Sequence, residues 1–158
     1  MKRFILMFVF LLPLTAWAGL DEGIAAYTAG DFPKAMEEFQ ALADQGNVDG
    51  QYFLGFLYHN GFGVKPNQVE AAKWFEKAAE QGDGRSQYYM GMIYSTGKGM
   101  AKDLPKADMW LTLSAGNPKT SHRESLYTQE EINKIEKKMT PEQITEAKEL
   151  AKNWKPQN

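Results

Sequence analysis

Residues 51–82 read QYFLGFLYHNGFGVKPNQVEAAKWFEKAAEQG, and residues 87–118 read QYYMGMIYSTGKGMAKDLPKADMWLTLSAGNP. At a constant offset of 36 residues, Gln51 meets Gln87, Tyr52 meets Tyr88, Gly55 meets Gly91 and Tyr58 meets Tyr94. The register continues through Gly61 and Gly97, Gly63 and Gly99, Ala71 and Ala107, and Trp74 and Trp110. So many matches in one frame mark an internal repeat, and a period in this range is that of solenoids and arrays. A looser copy lies upstream, with Ala35, Phe39, Ala43, Gln45 and Gly46 standing 36 residues before Ala71, Phe75, Ala79, Gln81 and Gly82. Tyr27 and Gly30 take the places of Tyr58 and Gly61 in that copy, and its corner is shorter.

Each copy reads as two helices. Gln51, Leu54, Gly55 and Tyr58 recur at the spacing of one buried helical stripe, and Ala71, Trp74, Phe75, Ala78 and Ala79 form a second. Asn67 is a predicted N-cap, with Glu70 placed to close a capping box. Gly55 and Gly91 fall inside helices at a cost of about 1 kcal/mol each relative to alanine, which close approach of a partner helix would offset. No convincing strand alternation is present in the chain after its leader.

The GxG pairs, Gly61 with Gly63 and Gly97 with Gly99, raise the question of phosphate binding. A dinucleotide fingerprint places a third glycine at the sixth position, on a strand-to-helix turn. Pro66 and Lys102 occupy that position, and the preceding element reads as a helix. The glycines are therefore predicted at corners, where a helix end needs positive φ.

The ends of the chain narrow its class. Lys2 and Arg3 precede the nine-residue apolar run Phe4 to Leu12, and Ala16-Trp17-Ala18 supplies a small-x-small site, the pattern of a secretory signal peptide cleaved after Ala18. Nine residues fall short of the roughly 20 that cross a bilayer, so no stable membrane span is expected after cleavage. Without Lys2 and Arg3, 16 basic residues face 20 acidic ones, a formal charge of −4. That balance, with no basic cluster, argues against nucleic acid as partner. There is no cysteine, so a domain sent to an oxidising compartment must be held by packing alone.

The motif L-G-x-x-Y-x-x-G-x-G-V followed by K-A-x-x-W-x-x-K-A-A-x-x-G resembles that of the Sel-one-like repeat (SLR) family, a relative of the tetratricopeptide repeat. Residues 54–82 match almost throughout. Residues 90–116 match less closely, with Met90 for leucine, Met100 for valine and Ser114 for alanine. Residues 22–46 look more like a tetratricopeptide unit. The resemblance implies an all-α fold, a short α-solenoid of helix-turn-helix repeats that serves as a scaffold for protein partners, in exported bacterial proteins among others. Some secreted relatives carry a cysteine pair in each repeat, and this chain does not. The expected layout is a signal peptide at 1–18, a tetratricopeptide-like repeat at 19–46, SLR repeats at 47–82 and 83–118, and C-terminal capping helices at 119–158.

A terminal repeat must turn a polar face to water. Thr128 with Glu131 reads as one helix start, and Thr140-Pro141-Glu142-Gln143 as another. Ile132, Ile135 and Met139 are expected to face inward from the first of these helices, and Ile144, Ala147, Leu150, Ala151 and Trp154 from the second. Residues 117–126 read either as a linker or as a degenerate first helix of the pair.

Nothing in the sequence assembles a catalytic or metal site. His59 and His122 stand 63 residues apart, and GxSxG, SxxK and HExxH are absent. No cofactor is expected. The reading is a non-catalytic scaffold for an unidentified protein or peptide, exported to the periplasm or the medium; the alternative is a cell-envelope enzyme acting on peptidoglycan or β-lactams. The candidate partner-binding residues are Phe53 and Phe56, with Tyr89 and Met92 one repeat later, and Asn60 and Thr96 at their edge. All four large residues occupy positions that the repeat leaves free. Exposed, they would be interface anchors; packed against the neighbouring repeat, they would be core.

Overall fold

The computed structural model describes residues 15–157, and every described element is helical. The helices are α1 (Thr15–Thr28), α2 (Phe32–Asp44), α3 (Val48–Asn60), α4 (Gln68–Glu80), α5 (Gly84–Thr96), α6 (Leu104–Ala115), α7 (His122–Glu136) and α8 (Pro141–Asn153). Each of the first six packs on its neighbours in chain order, the stacking of an all-α solenoid. Of the leader read at residues 1–18, only the last four fall within the described residues, where they open α1.

The corners repeat as the sequence does. Gly61 lies at φ 76° and its N–H donates to the Leu57 carbonyl, while the Asn67 N–H donates to Tyr58 at 2.9 Å. One repeat later Gly97 lies at φ 74°, its N–H donates to Ile93, and the Asp103 N–H donates to Tyr94 at 3.0 Å. The second glycine of each pair has a different task. A Cβ on Gly63 would meet the Phe32 carbonyl oxygen at 2.9 Å, and one on Gly99 would meet that of Gln68 at 2.3 Å. Phe32 and Gln68 begin the second helix of the preceding repeat. The first glycine therefore reverses the chain, and the second lets the corner press on the backbone of the unit before it.

The expected stripes form the core. Leu54 and Phe75 are fully buried, and Gly55 accepts the Phe75 ring so closely that a Cβ would lie 2.9 Å from it. A Cβ on Gly91 would come 2.5 Å from Leu111 on α6. Tyr58 and Trp74 are half-buried, Tyr94 and Trp110 buried. One apolar cluster joins the first repeat to Leu54 and Leu57, and a larger one runs from α4 to Ile132 and Ile135 on α7.

Three local expectations are corrected. Asn67 caps α4 by accepting from the Val69 and Glu70 amides, but Glu70 pairs with Lys73 at 2.6 Å and closes no capping box. The Asn67 amide is already taken by the Tyr58 carbonyl across the corner. Thr128 does not start a helix: α7 begins at His122, where Ser121 and Glu124 form a reciprocal capping box. Thr128 lies mid-helix and 3% exposed, donating to the Glu124 carbonyl at 2.9 Å. Residues 122–126 are thus α7's own beginning. Leu150, expected to face inward from α8, is 38% exposed, and Ala147 carries the buried contact of that helix.

The Thr140 start is as expected, with its hydroxyl and Gln143 bonded reciprocally. α7 and α8 both pack on α6. Trp154 meets Trp110 edge-on with ring centroids 6.0 Å apart, and the Gln157 N–H donates to the Glu80 carbonyl at 2.8 Å.

Candidate functional site

The odd-numbered helices share one face, and aromatic rings join them into a continuous floor. Tyr27 of α1 meets Phe56 of α3 at 6.1 Å between centroids, and Phe56 meets Tyr89 of α5 at 6.4 Å. Tyr52 of α3 lies 6.3 Å from Tyr89, and Tyr88 of α5 lies 6.1 Å from Tyr127 of α7. Such ring pairs each contribute about 0.5–1.5 kcal/mol beyond the area they bury. Over the α3, α5 and α7 part of this floor opens a groove of about 800 Å³.

The candidate residues occupy both surface and core. Phe53 is half-buried and stacked on Phe39 of the preceding repeat at 4.7 Å, with the ring planes 13° apart. Tyr89 is half-buried and stacked on Phe75 at 4.4 Å, so one of its faces is core while its edge reaches the groove. Phe56 is enclosed between Tyr27, Phe62 and Tyr89. Met92 lines a separate depression of about 270 Å³ beside His59 and Thr96. Asn60 and Thr96 are exposed, but each donates its side-chain hydrogen bond to its own helix, to Phe56 and Met92 respectively. Those two mark the ends of α3 and α5 and lie outside the larger groove.

The groove's principal walls are residues that the spacing argument did not single out as binding residues: Tyr52, Arg85, Tyr88, Arg123 and Tyr127. Tyr52 and Tyr88 match between the two repeats and so read as stacking positions. Arg123 and Tyr127 share a face of α7 at i and i+4, a pairing visible only once α7 is known to start at His122.

Arg85 is held from three sides. Its guanidinium lies 4.0 Å from the Tyr52 ring centroid, with Asp49 Oδ1 at 2.5 Å and Asp83 Oδ1 at 2.9 Å. Burial works against its charge, but the hydrogen bond it donates to Asp49 and the field of Asp83 outweigh that and raise its pKa. Burial, then the neighbouring Tyr89, pushes the Tyr52 phenol up to about 12. Burial and the adjacent Tyr127 hydroxyl raise Tyr88 as well. These phenols remain neutral donors at any physiological pH. The groove offers rings, hydroxyls and cations, the groups that protein interfaces use as anchors.

Among the described residues, no cluster of three or more His, Cys, Asp or Glu is arranged to hold a metal ion. No described helix is long and apolar enough to cross a membrane.

The comparisons agree with this architecture. The family model of the Sel1 repeat matches residues 48–83 and 84–117. A solved structure of a protective antigen present in uropathogenic Escherichia coli strains, displaying an SLR fold, is 32% identical, with a TM-score of 0.80. The match covers 88% of this chain and 29% of the antigen. A Sel1 repeat protein from Oxalobacter formigenes is 35% identical over 59% of this chain and 38% of its own, with a TM-score of 0.56. No curated protein matches. Two units of α3–α4 and α5–α6, with left-handed glycines at equivalent corners, thus coincide with the two matched repeats, and the chain is a Sel1-like repeat protein.

Proposed function

We propose that this chain is an exported, non-catalytic scaffold that holds a segment of a partner protein in the groove across α3, α5 and α7. Sel1 repeats are protein-interaction modules, which supports the general role. The observation that carries the specific reading is the opening of the aromatic floor at α7, where Tyr127 lines the groove at 55% exposed and Leu126, beside it in the chain but outside the groove lining, is equally exposed. Large apolar groups exposed together mark an interaction site more often than an idle surface. Export rests on the basic leader, the short apolar run and the Ala16-Trp17-Ala18 site.

The test compares partner capture by the parent protein and by Tyr88→Ala and Tyr127→Ala variants, with mass spectrometry of what is retained. The reading expects specific proteins held by the parent and lost from both variants, with the melting temperature of Tyr127→Ala nearly unchanged. Retention of the same proteins by both variants would remove the groove from the account. Incubation with muropeptides and a chromogenic β-lactam addresses the catalytic alternative, since turnover of either would overturn the non-catalytic role. A mass matching residues 1–158 in the exported fraction would contradict cleavage after Ala18.

A further inference from the structure

The charges around the groove are unevenly engaged. Its three carboxylates all have partners inside the protein. Asp49 takes Arg85, and Asp83 takes Arg85 together with the Ser86 amide and hydroxyl. Glu124 receives the Ser121 amide and hydroxyl at the start of α7, which holds its carboxyl below the usual range. Of the cations, Arg85 is neutralised by two aspartates. Lys119 and Arg123, which line the same groove, have no carboxylate within 4.0 Å among the described residues. Both are exposed, in a protein whose overall charge is negative.

The α7 lip is therefore a local cationic edge, and it lies beside the exposed ring of Tyr127 on the same helix face as Arg123. We propose that this lip takes an acidic peptide in an extended conformation. Its side-chain carboxylates would meet Arg123 and Lys119, and an apolar or aromatic side chain between them would lie on the Tyr88–Tyr127 floor. The inference rests on the groove reading above and adds the chemistry of the occupant. An arginine fork accepts a carboxylate in a bidentate geometry, and the neighbouring rings exclude water from the pair. A groove crossing three helices suits a chain that passes from one to the next rather than a compact ligand. A nucleic acid fits less well, because two free cations in a net-acidic protein give no stripe along which a phosphate backbone can run.

The probe is a fluorescein-labelled, C-terminally amidated peptide alternating glutamate with phenylalanine, compared with its glutamine-for-glutamate twin by polarisation on the purified protein. The acidic peptide is expected to bind about tenfold or more tightly than the twin at low salt, the scale of one charged hydrogen bond. Rising salt should erode that difference. Arg123→Gln and Lys119→Gln should each remove most of the preference while melting as the parent does. Equal binding of the two peptides, with Tyr127→Ala weakening both, would overturn the acidic occupant and leave the groove reading standing. Binding of neither peptide would overturn this inference, and failure of the capture test as well would remove the groove reading. A single-stranded DNA probe that displaces the acidic peptide at equal charge concentration would also overturn it, as a general polyanion patch.

Discussion

At the scale of single residues, the two glycines of each corner are separable by what surrounds them. Gly61 and Gly97 share the same backbone conformation, but a side chain on Gly61 would enter the Pro66 ring at 2.4 Å, while Gly97 has Lys102 no nearer than 3.3 Å. Gly61→Val and Gly97→Val should each destabilise by more than about 1 kcal/mol, Gly61→Val the more, as measured by chemical denaturation. No loss at either site would contradict the corner account. Asp108 is a second residue with a measurable signature. It is 3% exposed on α6, with Oδ1 accepting from Thr112 at 3.1 Å and Oδ2 without a partner. Burial raises its pKa first; the Thr112 hydroxyl lowers it, Glu136 of α7 raises it and Lys148 of α8 lowers it. A raised folded-state pKa means that the native protein holds this proton more tightly than the unfolded chain. Stability from this group therefore falls as pH rises through the window above about pH 4. Asp108→Asn should be more favourable, relative to the parent, at pH 7 than at pH 4. A difference that stays constant across that range would contradict the assignment.

Among the elements, α7 shows where sequence reasoning succeeds and where it fails. The two glycine corners, α3–α4 and α5–α6, and the Thr140 start were legible, because glycine at a helix end and Thr-Pro-Glu-Gln at a beginning act through nearest neighbours. The start of α7 was misplaced, because Ser121-x-x-Glu124 and Thr128-x-x-Glu131 present the same local signal. The choice between them is made by burial: Ile132 and Ile135 must reach α6, and Ser125 bonds the Ala115 carbonyl at 2.9 Å, which draws the first turn back along that helix. Ser121→Ala should then cost about 1 kcal/mol by urea denaturation. The same substitution should return the Glu124 carboxyl towards its ordinary pKa, read by NMR titration. If Ser121→Ala left both unchanged, the capping box would not be the start of α7. Leu150 was misread for a related reason. The helical period placed it on a stripe with Ala147 and Trp154, but α8 packs chiefly on α6, so the stripe is wider than the surface available to cover it.

For the whole molecule, the period of 36 residues carried the fold, since every repeat-specific feature of α3 to α6 follows from stacking one unit on the next. The groove was less legible. Whether an aromatic residue on an inner helix becomes wall or core depends on the ring that the neighbouring repeat supplies, and no single repeat contains that information. Tyr89 and Phe53 are committed to stacks with Phe75 and Phe39, whereas Tyr127 is only tilted against Tyr88 and remains exposed. Tyr89→Ser should therefore cost on the order of 2–4 kcal/mol of stability, while Tyr127→Ala should leave the melting temperature nearly unchanged. Equal losses at the two positions would mean that the floor is core throughout. The central claim, that a partner lies across α3, α5 and α7, is tested most directly by photo-cross-linking in living cells. A benzophenone amino acid replaces Tyr127 in the groove or, separately, the exposed Lys73 on α4. The account predicts a covalent adduct with a partner protein from position 127 and none from position 73. Adducts only from position 73, or from neither, would contradict it.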